Sequence, residues 1–244
     1  MKHFKTLLIT IMTTLIMGAL SCGCFWLFGG DDTGDGESIY YDPDSDSDFP
    51  SCEDGFWPGD VVVEQIDDMQ KLQGCRYIEG NLHVTYGDIT NLYPLHDLKA
   101  VGGDLRIEHN DNLTSLQGLD SLMEVEGNFY ISDNNSLWDL NHLTTLIDIG
   151  GSLVISANDS LESLEGSDSL LFIGDDLRVT LNSELEDIEG LDKLLNLDGD
   201  LLEISNNITF PTCEADDLIT RILATGFTGT IDTHGNDDTA TCEE

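Results

Sequence analysis

The chain has 244 residues, room for one substantial domain, and carries 48 acidic side chains against 9 basic ones, a formal charge of −39. Phosphate binding needs a basic surface, so this balance argues against nucleic acid as a partner. Self-repulsion on this scale keeps a protein soluble, and adaptation to high salt would give the same composition.

The first segment is set apart from the rest. "MKHFK" is basic and Leu7 to Phe28 carries no charge, an n-region followed by an h-region, so residues 1–28 read as a signal peptide or membrane anchor. Three fates are open. "GALSCGC" (18–24) resembles a bacterial lipoprotein signal lipidated on Cys22 or Cys24, with Ala19 where leucine is usual before Cys22. An uncleaved anchor is the second, since an apolar stretch of this length can span a bilayer. Cleavage and secretion is the third. Each exports the acidic domain and leaves the Lys2 and Lys5 flank in the cytoplasm. The expected location is the outer surface of the cell envelope, otherwise the medium. Lipidation at Cys24 leaves Cys52, Cys75, Cys213 and Cys242, an even set for disulfides in an oxidising compartment.

Residues 29–59 open with Gly, Asp, Ser and Pro and read as a disordered acidic linker. Within it Asp42, Asp44, Asp46 and Glu53 take positions 1, 3, 5 and 12 of a calcium loop. Ser47 stands where such a loop needs glycine and Pro43 disturbs the entry, so calcium is at best a weak partner and linker composition the simpler cause.

At Asp60 the texture changes. "VVVE" (61–64) alternates like a strand, and Ile66, Met69 and Leu72 share one side of a short helix that Gly74 can end. After Cys75 a pattern Leu-x-Ile-x-x-Asn recurs. Its first positions are Leu82, Leu105, Phe129, Leu153, Leu177 and Leu202, at intervals of 23, 24, 24, 24 and 25 residues. Its third are Val84, Ile107, Ile131, Ile155, Val179 and Ile204, and its sixth, absent from the first coil, are Asn110, Asn134, Asn158, Asn182 and Asn207. Ile231, Thr233 and Asn236 make a weaker seventh match. Between strands apolar residues fall every third position, as in Leu113, Leu116, Leu119, Leu122 and Val125.

A period of this length marks a solenoid. Leu153 and Ile155 point inward from a short strand, and the three-residue spacing puts one apolar side chain inside on each short leg. One coil cannot bury these alone; stacked coils bury each other's. Asn158 and its equivalents are expected to turn the chain after the strand, their amides satisfying backbone groups of the next coil. Gly103, Gly127, Gly151 and Gly199 are expected to hold positive φ in the turn before it.

End coils would expose apolar edges, so lids are needed. Residues 61–74 form the N-terminal one. At the other end 211–242 breaks the period, with a helix over 211–227. Thr212 is its N-cap; Ala215, Leu218 and Ile222 form its buried stripe, and Gly226 closes it. Four cysteines allow three pairings; one staple per lid selects Cys52–Cys75 and Cys213–Cys242.

"CRYIEGNLHV" (75–84), the recurrent "G-x-L-x-I-x-x-N" strands and the three-spaced leucines resemble a receptor L domain, the leucine-rich-repeat-like module of the insulin and EGF receptor families. The resemblance spans about Cys75 to Asn236. It implies a mainly β fold: a right-handed parallel β-solenoid of six to seven coils over 60–244, with repeats over 81–229 and a capping helix at each end. Bacterial surface lipoproteins carry similar arrays. Function does not follow from the fold. No cysteine-rich module, kinase or second L domain is visible in the sequence, so hormone binding does not carry over.

The outward strand positions form two columns. One is His83, Arg106, Tyr130, Val154, Arg178 and Glu203; the other, Thr85, Glu108, Ser132, Ser156, Thr180 and Ser205, is rich in hydroxyls that bond across coils. Arg106 and Arg178 lie in one column about 14 Å apart with Tyr130 between them, and these three are the candidate ligand-binding residues. Pairing with Glu108 and neighbouring acids is the competing reading of the arginines. Catalysis finds no support: Glu108 and Glu203 are about 19 Å apart, too far for a glycosidase pair. There is no Ser/His/Asp set, zinc spacing or phosphate loop, the histidines are scattered, and no cofactor is implied. Sequons at Asn112, Asn134, Asn158 and Asn207 matter only in a eukaryote. The reading is a tethered, non-catalytic surface protein that binds an extracellular protein or glycan; a structural envelope protein is the alternative and a polysaccharide-active enzyme the third.

Overall fold

The computed structural model describes residues 52–240 and Cys242. The signal or anchor, Cys22, Cys24, the linker up to Ser51 and the calcium-loop positions Asp42, Asp44 and Asp46 lie outside the described residues.

The chain is a parallel β-solenoid with two sheets. Longer strands Val61–Val63, Leu82–Thr85, Leu105–Glu108, Phe129–Ser132, Leu153–Ser156, Leu177–Thr180, Leu201–Ser205 and Thr230–Asp232 form an eight-stranded sheet in chain order. Two-residue strands, from Phe56–Trp57 to Asn196–Leu197, form a seven-stranded sheet. Every strand in both pairs in parallel with the equivalent strand one coil away, so Leu153 faces Phe129 on one side and Leu177 on the other.

This in-register pairing is what the repeat encodes. The pleat sends Leu153 and Ile155 inward, where they stack on their equivalents, and both columns are buried from Leu82 to Ile204. The legs contribute the rest of one continuous core: Leu113, Leu116, Leu119, Leu122 and Val125 are fully buried, and Leu137, Leu140, Leu143, Leu146 and Ile149 match them. Burying each leucine is worth about 1.5–3 kcal/mol, which neighbouring coils supply to one another.

A buried amide ladder runs beside the strands. Asn158 Nδ2 donates to the Ile131 carbonyl of the preceding coil at 2.9 Å, while the Asn158 N–H donates to Asn182 Oδ1 at 3.1 Å. The same bonds recur at Asn134, Asn182 and Asn207. The seventh match continues it, since Asn236 Nδ2 donates to the Ile204 carbonyl at 2.7 Å.

Several expectations need correction. The bend after the strand is made by the residue before each asparagine: His109, Asp133, Ala157, Leu181 and Asn206 hold φ of 54–60°. The asparagines are therefore free to be interior hydrogen-bonding groups. Gly103, Gly127, Gly151 and Gly199 do not have positive φ; they are small because the coils approach closely there. A Cβ on Gly151 would stand 2.5 Å from Asn128 Oδ1 and 2.9 Å from the Gly127 carbonyl carbon. Nor does the linker extend to residue 59. Phe56–Trp57 pairs with Tyr77–Ile78 and Val61–Val63 with Leu82–Val84, so a full coil precedes Cys75.

The lids follow the expected places with local differences. The N-terminal helix is Ile66–Gln70; Met69 and Leu72 are buried but Ile66 is exposed, because one short turn cannot bring all three against the coil. At the other end a 3-10 turn, Thr212–Ala215, leads into the helix Asp216–Ala224, with Ala215, Leu218 and Ile222 buried. Thr212 makes no cap; its hydroxyl donates to Asp238 at 2.5 Å, tying the helix start to the C-terminal strap. Gly226, at φ 101°, closes the helix. Cys52 joins Cys75, and Cys213 joins Cys242.

Candidate functional site

The outward column of the long-strand sheet is one uninterrupted register: Val62, His83, Arg106, Tyr130, Val154, Arg178, Glu203 and Asp232. Neighbours in a parallel sheet lie about 4.8 Å apart, so side chains on adjacent strands touch and those three strands away do not.

Arg106 and Tyr130 are brought together. The Arg106 guanidinium carbon lies 4.1 Å from the Tyr130 ring centroid, a cation–π contact. Nη2 donates to Asp104 Oδ2 at 2.9 Å and Nη1 is 3.9 Å from Glu108 Oε2. Arg178 stands two strands beyond Tyr130 with its own acids: Nη2 donates to Asp176 Oδ2 at 2.9 Å and Nε is 3.9 Å from Glu203 Oε2. Both arginines thus pair locally and remain partly open, with 35% and 44% of their side chains exposed.

The two carboxylate oxygens of each of these acids do different jobs. Asp104 Oδ1 accepts the Asn128 N–H at 2.8 Å and its Nδ2 at 3.0 Å, while Oδ2 holds Arg106. Asp176 Oδ1 accepts the N–H groups of Asp200 and Leu201 at 3.0 Å, while Oδ2 holds Arg178. These acids belong to a second ladder at the strand entrance: Asp60, Asn81, Asp104, Asn128, Ser152, Asp176. Sequence reasoning missed it, although an Asn, Asp or Ser stands just before each of these strands, at 81, 104, 128, 152, 176 and 200, at nearly the same spacing as the asparagines. Burial raises the Asp104 pKa, but the Asn128 N–H and the Arg106 guanidinium outweigh it and hold the carboxyl below its ordinary value. Burial acts on Arg106 in the opposite sense, and Asp104, Tyr130 and Glu108 raise its pKa regardless.

Sequence reasoning also passed over the sheet's exit edge. Tyr86 and His109 stack there at 5.0 Å, and His109 Nδ1 is 3.6 Å from Asp133. His83, in the outward column itself, lies 3.4 Å from Glu108. In the hydroxyl column Ser132 and Ser156 join Oγ to Oγ at 3.0 Å, as strand formers bonding across coils should.

Among the described residues no group of three or more His, Cys, Asp and Glu is placed to hold a metal ion. A shallow groove of about 470 Å³ lies away from this face, lined by Lys99, Asp120, Met123 and Ile147 among others. Most of its exposed surface is apolar, and the long-strand face, with its fixed Arg106–Tyr130 pair, is the better candidate.

Residues 74–163 match the family model of the Receptor L domain, and with its stacked parallel sheets the chain has the L-domain, leucine-rich-repeat-like fold. The match begins after the first coil and runs past the strand Leu153–Ser156, including Arg106 and Tyr130 but not Arg178. No curated protein and no solved structure matches the chain. The matched family is a non-catalytic ligand-binding domain, and the fold with its two disulfides fits an extracellular or cell-surface protein.

Proposed function

We propose that this protein is exported and held at the cell envelope by its N-terminus, through lipid on Cys22 or Cys24 or through its uncharged segment. There it displays the solenoid as a non-catalytic module that binds an extracellular protein or glycan. The observation that supports this best is the Arg106–Tyr130 pair, fixed at 4.1 Å on an open sheet face and oriented by Asp104. Arginine and tyrosine are common interface anchors, and here their rotamers are set before a ligand arrives. Arg178, held the same way by Asp176, would be the second contact.

The test is binding by the full-length protein, wild type beside an Arg106→Ala, Arg178→Ala double variant, to arrayed glycans and purified extracellular proteins. Capture by the wild type and loss in the variant is expected; equal capture by both would move the site off this face. One observation favours the structural alternative: each arginine is already satisfied by two carboxylates. Absence of any capture would support it. Mass spectrometry of the mature N-terminus decides the tether, and an intact Met1 in the soluble cytoplasmic fraction would overturn it.

A further inference from the structure

The long-strand face is charged at both ends and nearly uncharged in its middle. Between them the rungs Asn128–Asp133 and Ser152–Ala157 carry a single charged side chain, Asp133, at the exit turn beside His109. Their outward surface is Tyr130, Val154 and Ser156, with Ser132 buried behind its bond to Ser156 and Asn128 and Ser152 at the entrance. An arginine locked to its own acids stands on either side. In a chain of formal charge −39 such a window is conspicuous.

We propose that this window binds a neutral oligosaccharide; the inference rests on the long-strand face being the binding surface. Charge argues for it first. An anionic ligand would meet Asp104, Glu108, Asp176 and Glu203 around the window, and a cationic one would find stronger attraction almost anywhere else on the molecule. Size argues next. Two to three rungs about 4.8 Å apart and four residues of about 3.3 Å give an area near 150 Å². A stable protein partner needs about 800 Å² on each side. Chemistry argues last. One face of the Tyr130 ring is covered by Arg106, which fixes the ring, while Val154 is its register neighbour on the other side. A pyranose presents C–H faces that pack on such a surface and hydroxyl edges that bond to Ser156 and the Tyr130 phenol.

The test is titration of the full-length protein with neutral glucose- and N-acetylglucosamine-based tetrasaccharides, with a uronic-acid tetrasaccharide as the charged comparison. Expected results are binding of a neutral probe, none of the uronate, and little change with salt. Tyr130→Ala should weaken binding roughly tenfold, Tyr130→Phe should retain most of it, and Val154→Arg should abolish it, with unchanged circular dichroism and melting showing each variant folded. Glu186→Gln, outside the strand face, should bind like the wild type. The proposal is overturned if no neutral probe binds, if the uronate binds better, or if the Tyr130 and Val154 variants bind as the wild type does. Should no neutral probe bind while a protein ligand is lost on changing Arg106 and Arg178, this inference fails and the binding-face reading stands. If no ligand depends on the face, both fail.

Discussion

Replacing Asn158 with alanine asks whether the buried amide column, beyond apolar stacking, holds the coils together. Asn158 is fully buried. Its Nδ2 donates to the Ile131 carbonyl at 2.9 Å and to Asn182 Oδ1 at 3.2 Å, and its Oδ1 accepts the Asn134 N–H at 3.1 Å and Asn134 Nδ2 at 3.3 Å. Alanine orphans the Asn134 N–H and removes a donor from both Ile131 and Asn182, in a place closed to solvent. An orphaned buried group costs about 1–3 kcal/mol and each of the two further lost bonds about 0.5–1.5, so the change should cost about 2–6 kcal/mol. Against a typical stability of about 5–15 kcal/mol that is a large fraction. For a domain of this size it lowers the melting temperature by roughly 2–4 °C per kcal/mol, or about 10 °C in the middle of the range. Thermal and urea unfolding followed by circular dichroism measure it, with Ser156→Ala as the comparison. Ser156 makes a side-chain bond to Ser132 on the partly open face, so its loss should cost under about 1 kcal/mol. Equal shifts for the two variants would mean that the amide column adds nothing to apolar burial, and the reasoning would be wrong.

Three further outcomes follow from the same packing. Leu153→Asp should abolish folding, since an unpaired charge between Phe129 and Leu177 costs several kcal/mol; a folded variant with native circular dichroism would refute the inward assignment. Glu124→Gln should stabilise the protein at neutral pH. Burial, then Asp148, then Glu126 raise the Glu124 pKa, so its folded form prefers the proton and stability falls as pH rises through that value. The gain should vanish at pH below the ordinary carboxylate range, and a gain that persists there would show that charge is not its cause. Passed through a eukaryotic secretory pathway, the protein should gain a glycan at Asn112 alone, because Asn134, Asn158 and Asn207 are fully buried in the ladder; intact-mass analysis that finds more than one glycan would mean the ladder is open.

The fold was legible because one physical demand, that each coil bury its neighbour's apolar residues, fixes residue type at fixed spacing. Leucine at 153 and isoleucine at 155 admit few substitutes, so the period stands out. The entrance ladder was harder to see because Asn, Asp and Ser can all accept a backbone N–H, and the column varies from Asn128 to Ser152 to Asp176. The first coil was hidden for a related reason. Val61 and Val63 hold the inward register, but no asparagine follows, and the short helix Ile66–Gln70 replaces the leg. The glycines before the strands were misread because a turn glycine and a close-contact glycine look alike in sequence; Gly151 is set by Asn128 above it, a residue 23 positions earlier. At the candidate site the column of Arg106, Tyr130 and Arg178 followed from the pleat, but which acids hold the arginines depended on the unseen ladder.

That ladder bears on what the face can do. The two polar columns border the long strands, one at the entrance and one just past the exit, and between them they fix the backbone from coil to coil. The inward columns are held to Leu or Phe and to Ile or Val by packing. The outward column is under neither constraint, and it runs through valine, histidine, arginine, tyrosine and glutamate with no common residue type. A side chain there can change with little effect on its neighbours' backbone, since the hydrogen bonds that set the strand lie outside it. The two arginines are the informative exception: both follow an aspartate two residues earlier, so the scaffold that fixes the strands also fixes them. Preorganised cations flanking a neutral aromatic and aliphatic window lose little freedom when a ligand binds, which is the condition under which so small a surface can hold one.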